Sequence, residues 1–546
     1  MNGTGPAALD STAAPAPGAF VRRAVWLVAI VDVIRLVGAI PLGLGDAEAL
    51  YACYANHLQG GYLDHPPLIG WLDAAVLSVC PGAFALRLLA LGLFTLSAWL
   101  LFRLARTLFD DAAAFWAVAI LCVLPVFHLG GLAAAPDAPL VPLWLATLLA
   151  AWHAWKRQRE SRPPSWGWVL SRAVGLGALL GAAFLAKYSA LALAPVLCWA
   201  AWPLPPARRW AAWLAGAVAA AAVATPVIAW NAAHGFASVL HRFVWSQPDP
   251  GASLRNAGAL VGGQLLYLSP VAAVALGWMV VRAWKRRGES PVRFCLVASL
   301  VPFAILAAIC VWSRVAEPHW PLPAILALLP LAGHAASVAV GRTRRVVRVA
   351  LGVAVAFDAA VYLAVLTPLL PALVPEPLYV ARYDIVNELY GWDRVADAVR
   401  RRVPAGGVVV AGHYTMCAQL EWNLRGTGIP VACWTCTPTD FDLWAPGAET
   451  TRGRPVLFVS DERYPDRPPA ASPQARPERA EGPPVPNPPT VSVRRGGTEI
   501  RRFVLTDYAA GEVRWPRRVA GCTPPSGGDV PGGREGRGER GDRIHR

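Results

Sequence analysis

About eleven apolar segments, each near the ~20 residues that cross a bilayer, dominate this 546-residue chain. Their cores begin near Val25, Ala85, Ala112, Ala138, Ala173, Ala190, Trp210, Ala257, Phe294, Leu322 and Val347. The fifth and sixth are nearly continuous and break around Lys187. Hydrophobic residues make up 55% of the chain and charged residues 16%, against roughly a quarter in soluble domains. No water-facing surface accommodates so much apolar area. The composition excludes a string of soluble domains, a disordered chain, a coiled coil and a disulfide scaffold.

The net charge of +15 invites a nucleic-acid reading, but its placement argues against one. The basic residues are almost all Arg, with Lys only at 156, 187 and 285. They cluster at Arg22-Arg23, Arg103 with Arg106, Lys156 to Arg159, Arg208-Arg209, Lys285 to Arg287 and Arg342 to Arg348, in every second connection between apolar segments. This alternation is a topology signal and puts the N-terminus inside. No nucleic-acid partner is expected. The other connections, and everything after about Pro371, then face outward. The first span lacks a convincing cleavage site and reads as an uncleaved anchor.

The expected fold is an all-α multi-span membrane domain followed by a small extracytoplasmic α/β domain. Residues 1–20 read as a disordered cytoplasmic leader, 21–371 as the transmembrane domain and 372–523 as the outer domain. The outer domain carries a Pro-rich insertion near 464–489, and 524–546 form a disordered tail. In the outer domain, helices are expected at Trp392 to Val403 and Met416 to Leu424. Strands are expected at Gly407 to Gly412, Ile429 to Trp434, Pro455 to Ser460 and Glu499 to Thr506. Leu68 to Cys80 is too short to span and reads as a helix lying in the interface. Cys433 and Cys436 form a lone C-x-x-C; a disulfide or free thiols rank ahead of a metal site, and a redox role comes last.

The outer connections hold nearly every unusual polar residue: Asp46, Glu48, His57, Asp64, His65, Asp137, Lys187, His234, His241, Arg314, Glu317 and His319. Ionisable groups at a membrane boundary are costly unless used or hydrated. Asp46 and Glu48 follow the first span directly, where a partly desolvated carboxylate can act as a general base. Asp137 opens the fourth span, where a carboxylate also favours the helix N-terminus. Lys187 is the one Lys on the outer side; it suits a phosphate at the interface, and snorkelling from a helix end is the plainer alternative. Asp32 and Arg35, three residues apart within the first span, are expected to pair.

The loop GDAEALYACYANHLQGGYLDHPPLIGWL, from Gly45 to Leu72, closely resembles the first outer loop of GT-C membrane glycosyltransferases. The nearest type is family 39, which includes protein O-mannosyltransferases and lipid A aminoarabinose transferases. The resemblance continues through APDAPL (Ala135 to Leu140), FLAKYSAL (Phe184 to Leu191), PVIAWNAAHGF (Pro226 to Phe236), AEPHWPLPA (Ala316 to Ala324), GWDRVADAV (Gly391 to Val399) and DFDLW (Asp440 to Trp444).

The resemblance implies a GT-C fold and transfer of a sugar from a polyprenyl-phosphate donor to an envelope acceptor. The reaction would run with inversion at the outer face of the bacterial plasma membrane. It implies Asp46 as the base, with Glu48 and Asp137 as further catalytic carboxylates. It implies that Lys187, His65 and Arg314 hold the donor phosphate, and that Tyr62, Asp64, Glu317 and His319 line the acceptor groove. No cofactor is required, although Asp46 and Glu48 could hold a divalent ion. The chain departs from the pattern in two places: Ala47 separates acidic residues that are often adjacent, and His65 stands where relatives often carry Lys. A secondary transporter or lipid flippase is the rival reading, and a non-catalytic assembly subunit is a third. The absence of a convincing internal repeat and the one-sided polar set weigh against a transporter.

Overall fold

A computed structural model describes residues 18–161, 163–247, 251–313, 317–375, 378–435, 437–463, 489–513 and 515. Of the positions singled out above, Arg314, Cys436, residues 1–17, the stretch 464–488 and the tail lie outside the described residues.

Nine of the eleven apolar cores begin on α-helices, and those at Ala190 and Leu322 begin on 3-10 turns, Tyr188–Leu193 and Leu322–Leu328. The first half of the bundle contains α1 (Ala19–Ala39), α2 (Asp46–Tyr54), α3 (Leu68–Val79), α4 (Ala83–Leu108), α5 (Asp111–Val123), α6 (Pro125–Gly130), α7 (Asp137–Arg157) and α8 (Trp166–Ala186). It continues through α9 (Ala194–Ala200), α10 (Pro206–Val223), α11 (Thr225–Ala233), α12 (Ala237–Leu240), α13 (Leu254–Leu268), α14 (Pro270–Trp284), α15 (Ser290–Trp312), α16 (Leu329–Ser337), α17 (Gly341–Leu366) and α18 (Leu369–Leu373). Among the described residues, five helices are long and apolar enough to cross a membrane: α4, α7, α8, α15 and α17. The bent pairs α10–α11 and α13–α14 bring the number to seven at most. The expected eleven therefore includes shorter pieces, such as the 13-residue α5.

Close approach between helices rests on small residues, as membrane packing favours. Gly177 and Gly181, one turn apart on α8, meet α10 so closely that a Cβ on Gly177 would lie 2.1 Å from the Gly216 carbonyl oxygen. Gly333 on α16 meets the Ala113 carbonyl of α5 in the same way. Arg35 lies fully buried in α1, 3.3 Å from Asp32, and donates to the Phe127 carbonyl at 3.0 Å.

The C-terminal part holds α19 (Trp392–Arg402), α20 (Tyr414–Leu424), α21 (Phe441–Trp444) and α22 (Gly447–Thr450) around a five-stranded sheet. The strands are β1 (Val408–Ala411), β2 (Val431–Cys433), β3 (Val456–Asp461), β4 (Thr490–Arg495) and β5 (Thr498–Tyr508), in the order β2-β1-β3-β5-β4. β1 pairs in parallel with β2 and β3, while β3–β5 and β4–β5 are antiparallel. All four residues of β1 are buried, as expected of a central strand covered on both faces. β4 was not anticipated; a tight turn at Gly496 and Gly497, both at positive φ, joins it to β5. Cys433 ends β2 as a buried free thiol.

The sheet does not float free of the membrane part. One hydrophobic core runs from Leu44, Leu50, Tyr54 and Tyr62 of the first loop into Val395, Met416, Phe441 and Leu457.

Candidate active site

The segment read as a loop after the first span begins with a helix, α2, and this decides where its carboxylates point. Residues two apart on a helix lie about 200° apart around its axis. Asp46 and Glu48 therefore leave in opposite directions, and the acidic pair expected from the sequence is not a pair. Glu48 accepts from Arg87 at 2.5 Å and from the backbone N–H of Ala134 at 3.1 Å, and Arg87 also donates to the Leu132 and Gly43 carbonyls. Glu48 and Arg87 thus tie the first outer connection, α4 and the connection before α7 together. Asp46 turns toward the C-terminal sheet, where Gln419 Nε2 donates to its Oδ1 at 3.1 Å and its own N–H donates to Glu388 at 3.2 Å. The two carboxylates do not converge on a shared point, so they do not fit a divalent ion between them.

The Asp46 carboxyl is pushed up to about 6, mainly by burial and then by Glu388, with Arg501, Gln419 and Arg463 pulling the other way. Its Oδ2 is buried without a hydrogen-bond partner. Glu388 in turn is bridged by Arg463.

Elsewhere the outer polar residues do converge. Lys187 caps α8 in an extended conformation, buried to 7% exposure, and its Nζ donates to Asp137 at 2.6 Å. His319 Nε2 lies 3.4 Å from the same Nζ. Asp137 is the first residue of α7, which closes at the other end on Lys156 and Arg157, so one helix carries both polar extremes of the bundle. Asp64 accepts from Arg242 at 2.5 Å and lies 3.7 Å from both His65 and His241. Tyr51 shares a 3.1 Å hydrogen bond with His65 Nε2. Glu317 is exposed at the rim, within electrostatic reach of Lys187.

Burial alone would raise the Asp64 carboxyl. His65, Arg242, His241 and Lys187 outweigh it and hold the group below the usual carboxylate value. Burial drives His65 and His319 down to about 4, aided in both by Lys187, so both rings are neutral at pH 7.

Two residues take parts that the sequence did not suggest. Tyr62 is fully buried, stacks on Tyr54 at 3.6 Å and donates to the Tyr54 and His57 carbonyls, so it braces the loop and does not line a groove. Arg242, absent from the expected set, projects from a π-helical turn, His241–Trp245, and lies over Trp320 at 5.2 Å. Such turns recur at functional positions. Its signal was present: an Arg in an outer connection breaks the inside-positive pattern as Lys187 does.

Asp137 and His319 also close one end of a cavity of about 450 Å³ whose walls are otherwise nearly all apolar, including Phe94, Phe127, Val141 and Phe357. Asp440 clips the loop from the far side. It accepts from the Leu63 N–H at 2.8 Å and the Tyr54 hydroxyl at 3.1 Å, and burial pushes its carboxyl up to about 7.

The family described as dolichyl-phosphate-mannose-protein mannosyltransferase matches residues 64–230. The lipid A galacturonosyltransferase RgtD of Rhizobium johnstonii is 27% identical over 287 residues, a match that spans 51% of this chain and 58% of that relative's length. ArnT from Cupriavidus metallidurans bound to undecaprenyl phosphate superposes with a TM-score of 0.59 at 15% identity, covering 90% of this chain and 98% of that one. Its apo state gives 0.60, with 89% and 98% covered. The chain resembles the GT-C membrane glycosyltransferases in sequence and shares their fold.

Proposed function

We propose that this protein is a membrane glycosyltransferase that moves a sugar from a polyprenyl-phosphate donor to a hydroxyl of an envelope acceptor. The observation that carries the reading is the apolar cavity that reaches Asp137 and His319, with Lys187 bonded to Asp137 and Arg242 packed over Trp320, the residue after His319. Such a cavity suits a prenyl chain; Arg242 suits the phosphate and the charge that develops on it, and Lys187 orients Asp137. The likeness to a fold that holds undecaprenyl phosphate in ArnT supports it. The topology signal supports an extracytoplasmic site.

In this proposal the acceptor hydroxyl attacks the anomeric carbon from the side opposite the phosphate. Its proton passes to a carboxylate, the anomeric C–O bond breaks, and the electron pair leaves with polyprenyl phosphate, inverting the configuration. Base and leaving group must stand on opposite sides of the sugar. Lys187 already holds Asp137, so these two form the base side: Lys187 keeps Asp137 ionised and oriented. Arg242, seated on Trp320, is tied to Asp64 through one Nη, and its remaining N–H groups take the leaving phosphate; neutral His65 contributes a hydrogen bond at most. Asp46 is reassigned from base to the seat of the C-terminal domain, since its carboxyl faces Gln419 and Glu388 rather than the cavity. No step is routed through a metal ion.

The test is complementation of a deletion strain, read by mass spectrometry of envelope lipids and glycans. Wild type should restore one sugar on one acceptor. Asp137→Asn, expressed at wild-type level, should leave that sugar missing and the matching polyprenyl-phosphate sugar accumulated. Full complementation by Asp137→Asn would remove the catalytic assignment and favour a transporter.

A further inference from the structure

A second and larger cavity, about 660 Å³, adjoins the first along α5 and α17, where Leu124 and Ala354 line the one and Pro125 and Phe357 the other. It lies between α14, α16 and α17, and its body is apolar, with Leu276, Met279, Leu331, Val347 and Ala354 among its walls. Its polar lining is Arg282, Lys285, Arg286, His334 and Thr343; Arg282 and Lys285 close α14, and Thr343 stands in the first turn of α17. Thr343 and Ala354 are eleven positions apart on α17, about 16 Å along the axis, which matches half of a ~30 Å hydrocarbon core. The cavity therefore has the length of one acyl chain and the polarity profile of one leaflet.

The charge at its mouth is unbalanced. α17 begins with Arg342, Arg344 and Arg345, no acidic residue in its first turn and no side-chain cap. Cations at a helix N-terminus add to the positive end of its dipole. Glu289 is taken by Arg286 through two hydrogen bonds of 2.7 and 2.8 Å. Arg282 packs over Trp278 at 4.0 Å, and among the described residues no carboxylate pairs with Arg282 or Lys285. A need for positive charge on the inner side accounts for how many cations stand here. It does not account for a chain-length apolar slot beneath them.

We propose that this cavity is a binding site for one anionic phospholipid, with its phosphate between Arg282, Lys285 and the first turn of α17 and an acyl chain along α17. Charge complementarity selects the anionic headgroup, and the slot selects a lipid over a free phosphate. The site is independent of the proposed sugar transfer.

Full-length protein, delipidated in detergent, is titrated with phosphatidylglycerol or phosphatidylcholine and read by native mass spectrometry. One phosphatidylglycerol should be retained and phosphatidylcholine should not. The double variant Arg282→Gln/Lys285→Gln, at exposed positions, should weaken retention roughly 30-fold. Ala350→Phe fills the slot and leaves the charges intact; it should also abolish retention. Equal retention of the two lipids, or wild-type retention of phosphatidylglycerol by the double Gln variant, overturns the proposal. If Ala350→Phe does not fold, the double Gln variant decides alone.

Discussion

Asp46 and Asp64 stand eighteen residues apart in one loop, and burial pushes both carboxyls upward. They end on opposite sides of the ordinary value. Asp46 meets Glu388 and one amide, and rises to about 6. Asp64 meets Arg242, two imidazoles and the field of Lys187, and falls. Asp46 is almost fully buried and the Asp64 side chain is a third exposed, so depth and neighbours both separate them. A site that must handle phosphate gathers cations, and any carboxylate there stays ionised. A carboxylate used to seat one part of the chain on another can be left half-titrated.

The largest effect that could break this comparison is on turnover. Asp137→Asn should lower it by ~10²–10⁴-fold with no loss of protein, while Asp46→Asn should stay within about tenfold. The reverse order would return the base to the helix after the first span. Next comes the third carboxylate of the loop. Arg87→Met leaves Glu48 buried without a countercharge, which should cost about 3–5 kcal/mol and show as a lowered Tm in detergent. An unchanged Tm would mean that the backbone N–H of Ala134 suffices to hold Glu48.

The two cations can then be separated. Arg242→Gln should raise the donor KM by roughly 10–100-fold, the worth of a charge-assisted hydrogen bond. Lys187→Ala should lower kcat more than it changes KM, and Lys187→Arg should recover part of it. A pure KM effect at Lys187 would put the phosphate there instead.

The smallest effect concerns pH. The Asp46 pKa is raised on folding, from 3.8 to about 6. Its contribution to stability is therefore complete below 3.8 and is lost as pH rises through about 6. Asp46→Asn should raise Tm at pH 7.5 by on the order of 2 °C, and the gain should vanish near pH 4. A variant less stable than wild type at pH 7.5 would show that the charged form is the one the interface wants.

How far the sequence carried differs between these features for a physical reason. Apolar runs and strand patterns are local, so the helix positions, β1, β3 and the break at Lys187 were all legible. The Asp32–Arg35 pair was legible too, because three-residue spacing on a helix fixes it. The direction of Asp46 is hidden when Gly45 to Leu72 is read as a loop; on a helix, its 200° offset from Glu48 follows. Contacts such as Gln419 with Asp46 lie 373 positions apart and have no local signature. Arg242 had a signal, its wrong-side charge, that went unused. β4 adjoins a Pro-rich stretch whose composition masked it.

The core shared between the first loop and the sheet also sets a timetable. At about 5–20 residues per second, the ribosome needs roughly 20 to 75 s to travel from Asp46 to its partner Gln419. Throughout that interval Leu44, Leu50 and Tyr54, buried in the finished protein, have no sheet to lie against. The loop is thus completed last although it is made almost first. The nascent chain has to be shielded at this segment until its final quarter emerges.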